Sequence, residues 1–140
     1  MKAGPIIIVE DDIDDQEIFI QALREININN QVNHFKNGKT AFEYLLQTSE
    51  RPFIIFCDVN LPGQKGTAFK KQIDENKELR RKSIPFIFYS TSDDQAIVNE
   101  AYTEMTVQGF FKKQDDYSEI KSQLKVIVDY WMACRHPNTH

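Results

Sequence analysis

The sequence is short of cysteine, of basic excess and of long apolar runs, and each lack removes a class of function. Two cysteines in 140 residues cannot staple a disulfide scaffold, and Cys57 stands inside an apolar run, where a free thiol behaves as a small hydrophobe. Lys and Arg number 17 against 21 Asp and Glu, a formal net charge of −4. That balance offers no electrostatic footprint for nucleic acid or an anionic membrane. No apolar stretch approaches the ~18–20 residues of a membrane span, and the N-terminus lacks the pattern of a signal peptide. A soluble, cytoplasmic protein is expected, with neither nucleic acid nor membrane as partner. No internal repeat or low-complexity linker divides the chain. What remains is ordinary: 41% hydrophobic and 27% charged residues, in a length that suits one domain.

Short apolar runs alternate with segments of helical period. Residues 5–9, with Ile6, Ile7, Ile8 and Val9, are too short and too uniformly apolar for a surface helix and predict a strand buried on both faces. Residues 14–26 carry Ile18, Phe19, Ala22, Leu23 and Ile26 at spacings of three and four, the mark of an amphipathic helix. A weaker strand is expected over 31–36, a turn at Asn37-Gly38, and a helix over 40–47. The most apolar strand, 53–57, runs directly into Asp58. Pro62, Gly63 and Gly66 make 61–66 a loop. One charged helix is expected over 67–79, then a strand over 86–89 ending at Ser90, Thr91 and Ser92. A helix over 94–105, capped by Asp93 or Ser92, leads to a strand over 107–111 that closes on Lys112 and Lys113. The last helix spans 117–132. Residues 1–133 are expected to form one domain, and 134–140 a frayed tail. Five β–α units in succession imply a flavodoxin-like (βα)5 doubly wound parallel sheet, order 2-1-3-4-5.

The polar residues of interest all follow strands. Glu10, Asp11 and Asp12 follow the first, Asp58 and Asn60 the third, Ser90 and Thr91 the fourth, Lys112 and Lys113 the fifth. Such positions share one edge of a parallel sheet, where open α/β folds place their ligands. Clustered carboxylates repel one another unless a cation intervenes, and a hard divalent ion such as Mg²⁺ suits oxygen donors. A lysine and a hydroxyl opposite them could hold phosphoryl oxygens. The set could form and keep an acyl phosphate. Taken singly, each piece has a bland reading: an acidic helix start, a turn aspartate, surface lysines, a helix cap. Their joint placement on one edge carries the functional reading.

The chain resembles the response-regulator receiver family from about residue 6 to residue 131. Ile-Ile-Val-Glu-Asp-Asp-Ile-Asp-Asp at 7–15 is similar to the acidic motif after the first strand. Phe-Cys-Asp-Val-Asn-Leu-Pro-Gly-Gln-Lys-Gly at 56–66 is similar to the phosphoacceptor loop. Ile-Pro-Phe-Ile-Phe-Tyr-Ser-Thr-Ser at 84–92 resembles the fourth strand with its hydroxyl, and Gly-Phe-Phe-Lys-Lys at 109–113 the fifth with its lysine. The resemblance implies that Asp58 accepts a phosphoryl group from a histidine kinase. It implies Mg²⁺ on Glu10, Asp11, Asp58 and the Asn60 backbone carbonyl, and Ser90 and Lys113 on the phosphoryl oxygens. Ser90 and Phe110 would be the switch pair, with Asp12, Thr91 and Lys112 as secondary candidates. It also implies a protein that drives its own phosphorylation and dephosphorylation rather than a conventional enzyme, signalling to a protein partner without an output domain, with homodimerisation through the usual surface as an option. Val-Glu-Asp-Asp-Ile-Asp-Asp, the Thr-Ser after Ser90, and Asp129-Tyr130-Trp131 resemble stand-alone receivers paired with bacteriophytochrome-type kinases.

Two departures stand out. Gln114 occupies the place where the family usually has proline, often after a cis bond. A cis Lys113–Gln114 bond would cost ~3–4 kcal/mol, so a trans bond or an altered loop is expected. Gln64 and Lys65 replace the usual hydrophobic-acidic pair and bring a positive charge to the mouth of the site. The competing reading is a pseudo-receiver, a protein-interaction module working without phosphorylation. A haloacid-dehalogenase-like phosphatase would need a second Asp where Asn60 stands, and an EF-hand at Asp12 lacks its Gly and Glu.

Overall fold

In the computed structural model, which describes residues 4–92 and 94–137, the three central runs of the sequence become strands with no exposed face. Strands β1 (Ile6–Val9), β3 (Ile54–Cys57) and β4 (Phe86–Ser90) are buried at every position. They are flanked by β2 (Val32–Phe35) and β5 (Gly109–Lys112) at the edges. All pairings are parallel, and the order is β2-β1-β3-β4-β5. The sheet is the doubly wound one that alternating strands and helices require, because parallel neighbours need a crossover and crossovers cover both faces.

The period of two along each strand sorts side chains between two cores. Ile7, Val9, Ile55, Cys57, Phe86 and Phe88 point to one side. There they meet α2 (Gly38–Gln47), α3 (Gly66–Glu75) and α5 (Gln95–Glu104) through Ala41, Leu45, Phe69, Ile73 and Ala101. Ile6, Ile8, Ile54, Phe56, Ile87 and Tyr89 point to the other. These pack under α1 (Ile13–Glu25) and α6 (Tyr117–Ala133) through Phe19, Leu23, Leu124, Ile127 and Val128. Five phenylalanines, 53, 56, 69, 86 and 88, are essentially fully buried, each worth roughly 1.5–3 kcal/mol of apolar transfer. Among the described residues no helix is long and apolar enough to cross a membrane.

Several local expectations need correction. The charged helix expected over 67–79 is two helices, α3 and α4 (Lys77–Lys82), so the described helices number six. Asn76 leaves the helical region (φ −89°, ψ 117°) and its side chain accepts the Leu79 amide at 3.0 Å, the ordinary reason asparagine begins a helix rather than continuing one. Asn37 likewise caps α2 through the Thr40 amide at 2.9 Å, so Gly38 opens a helix rather than a turn. The cap of α5 is Asp94, accepting from Ala96 at 2.9 Å; Ser92 does not cap it, and Asp93 lies outside the described residues. Strand β5 begins at Gly109 instead of 107.

The tail expected to fray from 134 does not do so at His136. That side chain is buried, its Nε2 lies 2.6 Å from the Phe53 carbonyl, and its ring stacks on Phe53 with centroids 5.0 Å apart. An aromatic ring with a polar edge can satisfy a strand carbonyl and cover apolar surface together.

Candidate functional site

Register brings the site residues together. Val9 pairs with Cys57, and the Asp58 amide donates to the Val9 carbonyl at 3.0 Å. Glu10 and Asp58 therefore leave adjacent central strands side by side. Ser90, at the end of β4, is opposite Lys112, and the Lys113 amide donates to the Ser90 carbonyl at 2.8 Å. The loop after Asp58 turns at Gly63, whose φ of +77° favours glycine. It returns at Gly66, whose amide donates to the Val59 carbonyl at 2.7 Å. A Cβ on Gly66 would stand 3.0 Å from the Asp58 carbonyl carbon and from the Val59 Cα, and closer still to the Asp58 carbonyl oxygen. Only glycine lets α3 start this close to the strand end.

Asp58 is held at both carboxylate oxygens. Oδ1 accepts from the Ser90 hydroxyl at 2.7 Å and from the Asn60 amide at 3.2 Å, while Oδ2 lies 3.5 Å from Lys113 Nζ. Lys113 also hydrogen-bonds Glu10 and stands 3.1 Å from Asp15. One ammonium thus sits among three carboxylates on two strand ends and a helix. Glu10 is buried, its Oε2 accepts the Asp12 amide at 3.2 Å, and its backbone carbonyl accepts from the buried amide of Gln16.

These contacts set the electrostatics. Burial pushes the Glu10 carboxyl up to about 7, against the opposing pull of Lys113. Burial alone would lower Lys113, but its hydrogen bond to Glu10 and the charge of Asp58 hold it well above the usual lysine range, so it stays an ammonium. Burial also raises the Cys57 thiol, which is inert behind the site. Glu10, Asp11 and Asp58 each offer an oxygen, and the three lie within 4.8 Å of one another. An all-oxygen donor set of this charge fits a hard divalent cation.

The expected residues divide accordingly. Glu10, Asp11, Asp58, Ser90 and Lys113 converge, and Asn60 joins them through its backbone amide. Asp12 is instead the cap of α1, accepting the Asp15 amide at 3.1 Å. Thr91 and Lys112 are exposed, away from the buried Ser90 and half-buried Lys113. Phe110 is half-buried against Phe88, ring centroids 5.6 Å apart. Among the described residues there is no cis peptide, so the Lys113–Gln114 bond is trans as expected. The Lys65 ammonium lies 3.5 Å from the Asn60 side-chain oxygen, at the mouth of the site. Three contributors had not been singled out: Asp15, Gln16 and Gly66. Gln16 was findable, since it falls on the apolar stripe of α1 with Phe19 and Leu23.

Comparison with known proteins identifies the family to which this fold and sequence are similar. The family described as the response regulator receiver domain matches residues 6–125. The response regulator Rcp1 of Synechocystis is 26% identical over 132 residues, covering 91% of this chain and 88% of that protein. The phosphorylated cyanobacterial phytochrome response regulator RcpA superposes with a TM-score of 0.86 at 26% identity, covering 96% and 99% of the two chains. The Mn²⁺-bound form of Rcp1 gives 0.81 at 26% identity, covering 94% and 96%.

Proposed function

Because this chain belongs to the response-regulator receiver family of two-component signalling, we propose that Asp58 is its phosphoacceptor and that a histidine kinase is its donor. The observation that carries the reading is Asp58 itself, with a serine hydroxyl at 2.7 Å, a lysine ammonium at 3.5 Å and two further carboxylates beside it. A carboxylate oxygen attacks phosphorus, the P–N bond of the donor phosphohistidine breaks with its electron pair going to the ring nitrogen, and the imidazole leaves as a neutral ring that keeps the proton already on its other nitrogen. The product is an acyl phosphate on Asp58.

Glu10, Asp11, Asp58 and the Asn60 backbone carbonyl would hold Mg²⁺, which supplies positive charge to the phosphoryl oxygens when bound. That Rcp1 has a Mn²⁺-bound form supports a divalent ion on a chain similar to it. Lys113 neutralises one phosphoryl oxygen from the side of β5, and the Ser90 hydroxyl moves from Asp58 to donate to another. Phe110, next to Phe88, takes the space that movement vacates. This is a two-state shift biased by charge-assisted contacts.

Residues 1–133 then act as one receiver unit in the cytoplasm, and output passes through protein contact on α5, β5 and α6. Exposed Tyr102, Val126 and Tyr130 lie on those helices, a surface suited to a downstream partner or to a second copy. The likeness to phytochrome response regulators favours a phytochrome-type sensor kinase.

Incubation with acetyl phosphate and Mg²⁺, followed by intact-mass measurement, tests the central claim. A gain of one phosphoryl group that disappears in Asp58→Asn is expected. No Asp58-dependent gain from either acetyl phosphate or a cognate kinase would favour the pseudo-receiver.

A further inference from the structure

Lys113 is followed by a glutamine in a trans peptide, so the backbone after it lacks the stiffness of proline. Something else must aim the side chain. Its main chain is secured by the Ser90 carbonyl at 2.8 Å, and the preceding Lys112 carbonyl accepts from Gln123 at 3.0 Å. Neither contact decides where four methylenes and an ammonium point. The side-chain direction is set by carboxylates: Glu10 beneath, Asp58 at 3.5 Å, and Asp15 at 3.1 Å from the first turn of α1.

We propose that Asp15 is a positioning residue for phosphoryl transfer, holding Lys113 so that its third N–H faces Asp58. This rests on the phosphoacceptor reading above. Lys113 has three donors. Glu10 takes one and Asp15 a second, which leaves one directed at the oxygen where the phosphoryl group is built. Asp15 is itself anchored, because its amide donates to Asp12 Oδ1 at 3.1 Å and fixes the helix turn that carries it. It does not belong to the Glu10, Asp11 and Asp58 trio, so its part is distinct from metal binding. The Lys113 side chain is 12% exposed and that of Asp15 41%, and a half-open pair of this kind aims a group more than it stabilises a fold.

The test pairs kinetics with a measurement that needs no phosphorus. In Asp15→Asn, phosphorylation of Asp58 by acetyl phosphate and Mg²⁺ should slow roughly three- to tenfold, and Asp15→Glu should recover part of the rate. In a Lys113→Ala background, Asp15→Asn should have no further effect. Acylation of Lys113 by a succinimidyl ester in the native protein, followed by peptide mass analysis, should quicken several-fold in Asp15→Asn. The Mg²⁺ Kd should stay within about twofold. Unchanged phosphorylation and unchanged labelling would overturn the proposal and leave the phosphoacceptor reading standing. So would a slowing that persists without Lys113, or one matched by lost Mg²⁺ affinity. A wild-type protein that takes no phosphoryl group from acetyl phosphate or a cognate kinase overturns both, however labelling responds.

Discussion

Replacing Gly66 by alanine should disable Asp58 without touching any side chain of the site. The added methyl would meet backbone, namely the Asp58 carbonyl and the Val59 Cα, at 3.0 Å or less. No rotamer relieves a clash between a Cβ and main chain, so α3 and the end of β3 must part by roughly an ångström from ordinary contact distances. Overpacking of this kind costs ~1–3 kcal/mol. Alanine recovers at most ~1 kcal/mol through helix propensity, so a net loss of about 1–2 kcal/mol is expected. For a chain of this size that lowers Tm by roughly 3–8 °C. The kinetic effect should be larger, since a 1 Å misplacement of a reacting group can cost about a hundredfold. Thermal unfolding by circular dichroism and single-turnover phosphorylation with acetyl phosphate measure the two effects on one sample. Gly63→Ala is the control: a Cβ there meets nothing within 4 Å, and only its φ of +77° is strained, so it should lose ~1–2 kcal/mol with little change in rate. Wild-type rate and Tm in Gly66→Ala would refute the reasoning.

Three further expectations concern other parts of the molecule. Glu10 has a folded pKa raised to about 7, so the stability it contributes is complete below its unfolded pKa near 4.5 and is lost as pH rises through 7. Without divalent ion, unfolding free energy should therefore fall by on the order of 2 kcal/mol between pH 5 and 7.5; Glu10→Gln should flatten that slope, and saturating Mg²⁺ should reverse it. On the far side of the sheet, Lys70 is buried with its ammonium 2.8 Å from Asp74 and 3.1 Å from Thr106. Asp74→Ala strands that charge and should cost ~3–5 kcal/mol in urea denaturation, whereas Lys70→Met should cost clearly less. His136→Ala removes a stacked ring and the contact with the Phe53 carbonyl; a drop of ~1–2 kcal/mol is expected, and an unchanged urea midpoint would mean the tail contributes nothing.

The sheet was legible because its three central strands are short, β-branched or aromatic, and buried on both faces. Such runs, each followed by a segment of helical period, point to a parallel core, and 2-1-3-4-5 is the common order for five strands joined by right-handed crossovers. Asp58, Ser90 and Lys113 were legible for the same reason, since each ends a run. What escaped notice depends on through-space neighbours. Asp15 reads as one more acid in a helix start, and nothing local says that an ammonium from a hundred residues away reaches it. Gly66 reads as loop punctuation until the carbonyl it faces is known. His136 follows no period, so its stacking on Phe53 has no sequence signature. The break at Asn76 is the exception: an asparagine can cap the turn that follows it, a local signal that the expected single helix over 67–79 did not take into account.

The contact between Lys113 and Glu10 joins residues 103 positions apart, and among the described residues β5 pairs only with β4, at the sheet margin. During synthesis the acidic half of the site exists long before its cation does. A chain halted before β5 carries Glu10, Asp11 and Asp58 with no lysine among them. Contacts of such long separation form late, after the intervening loops have closed. The cluster of three carboxylates around one ammonium is therefore complete only once β5 has joined the sheet.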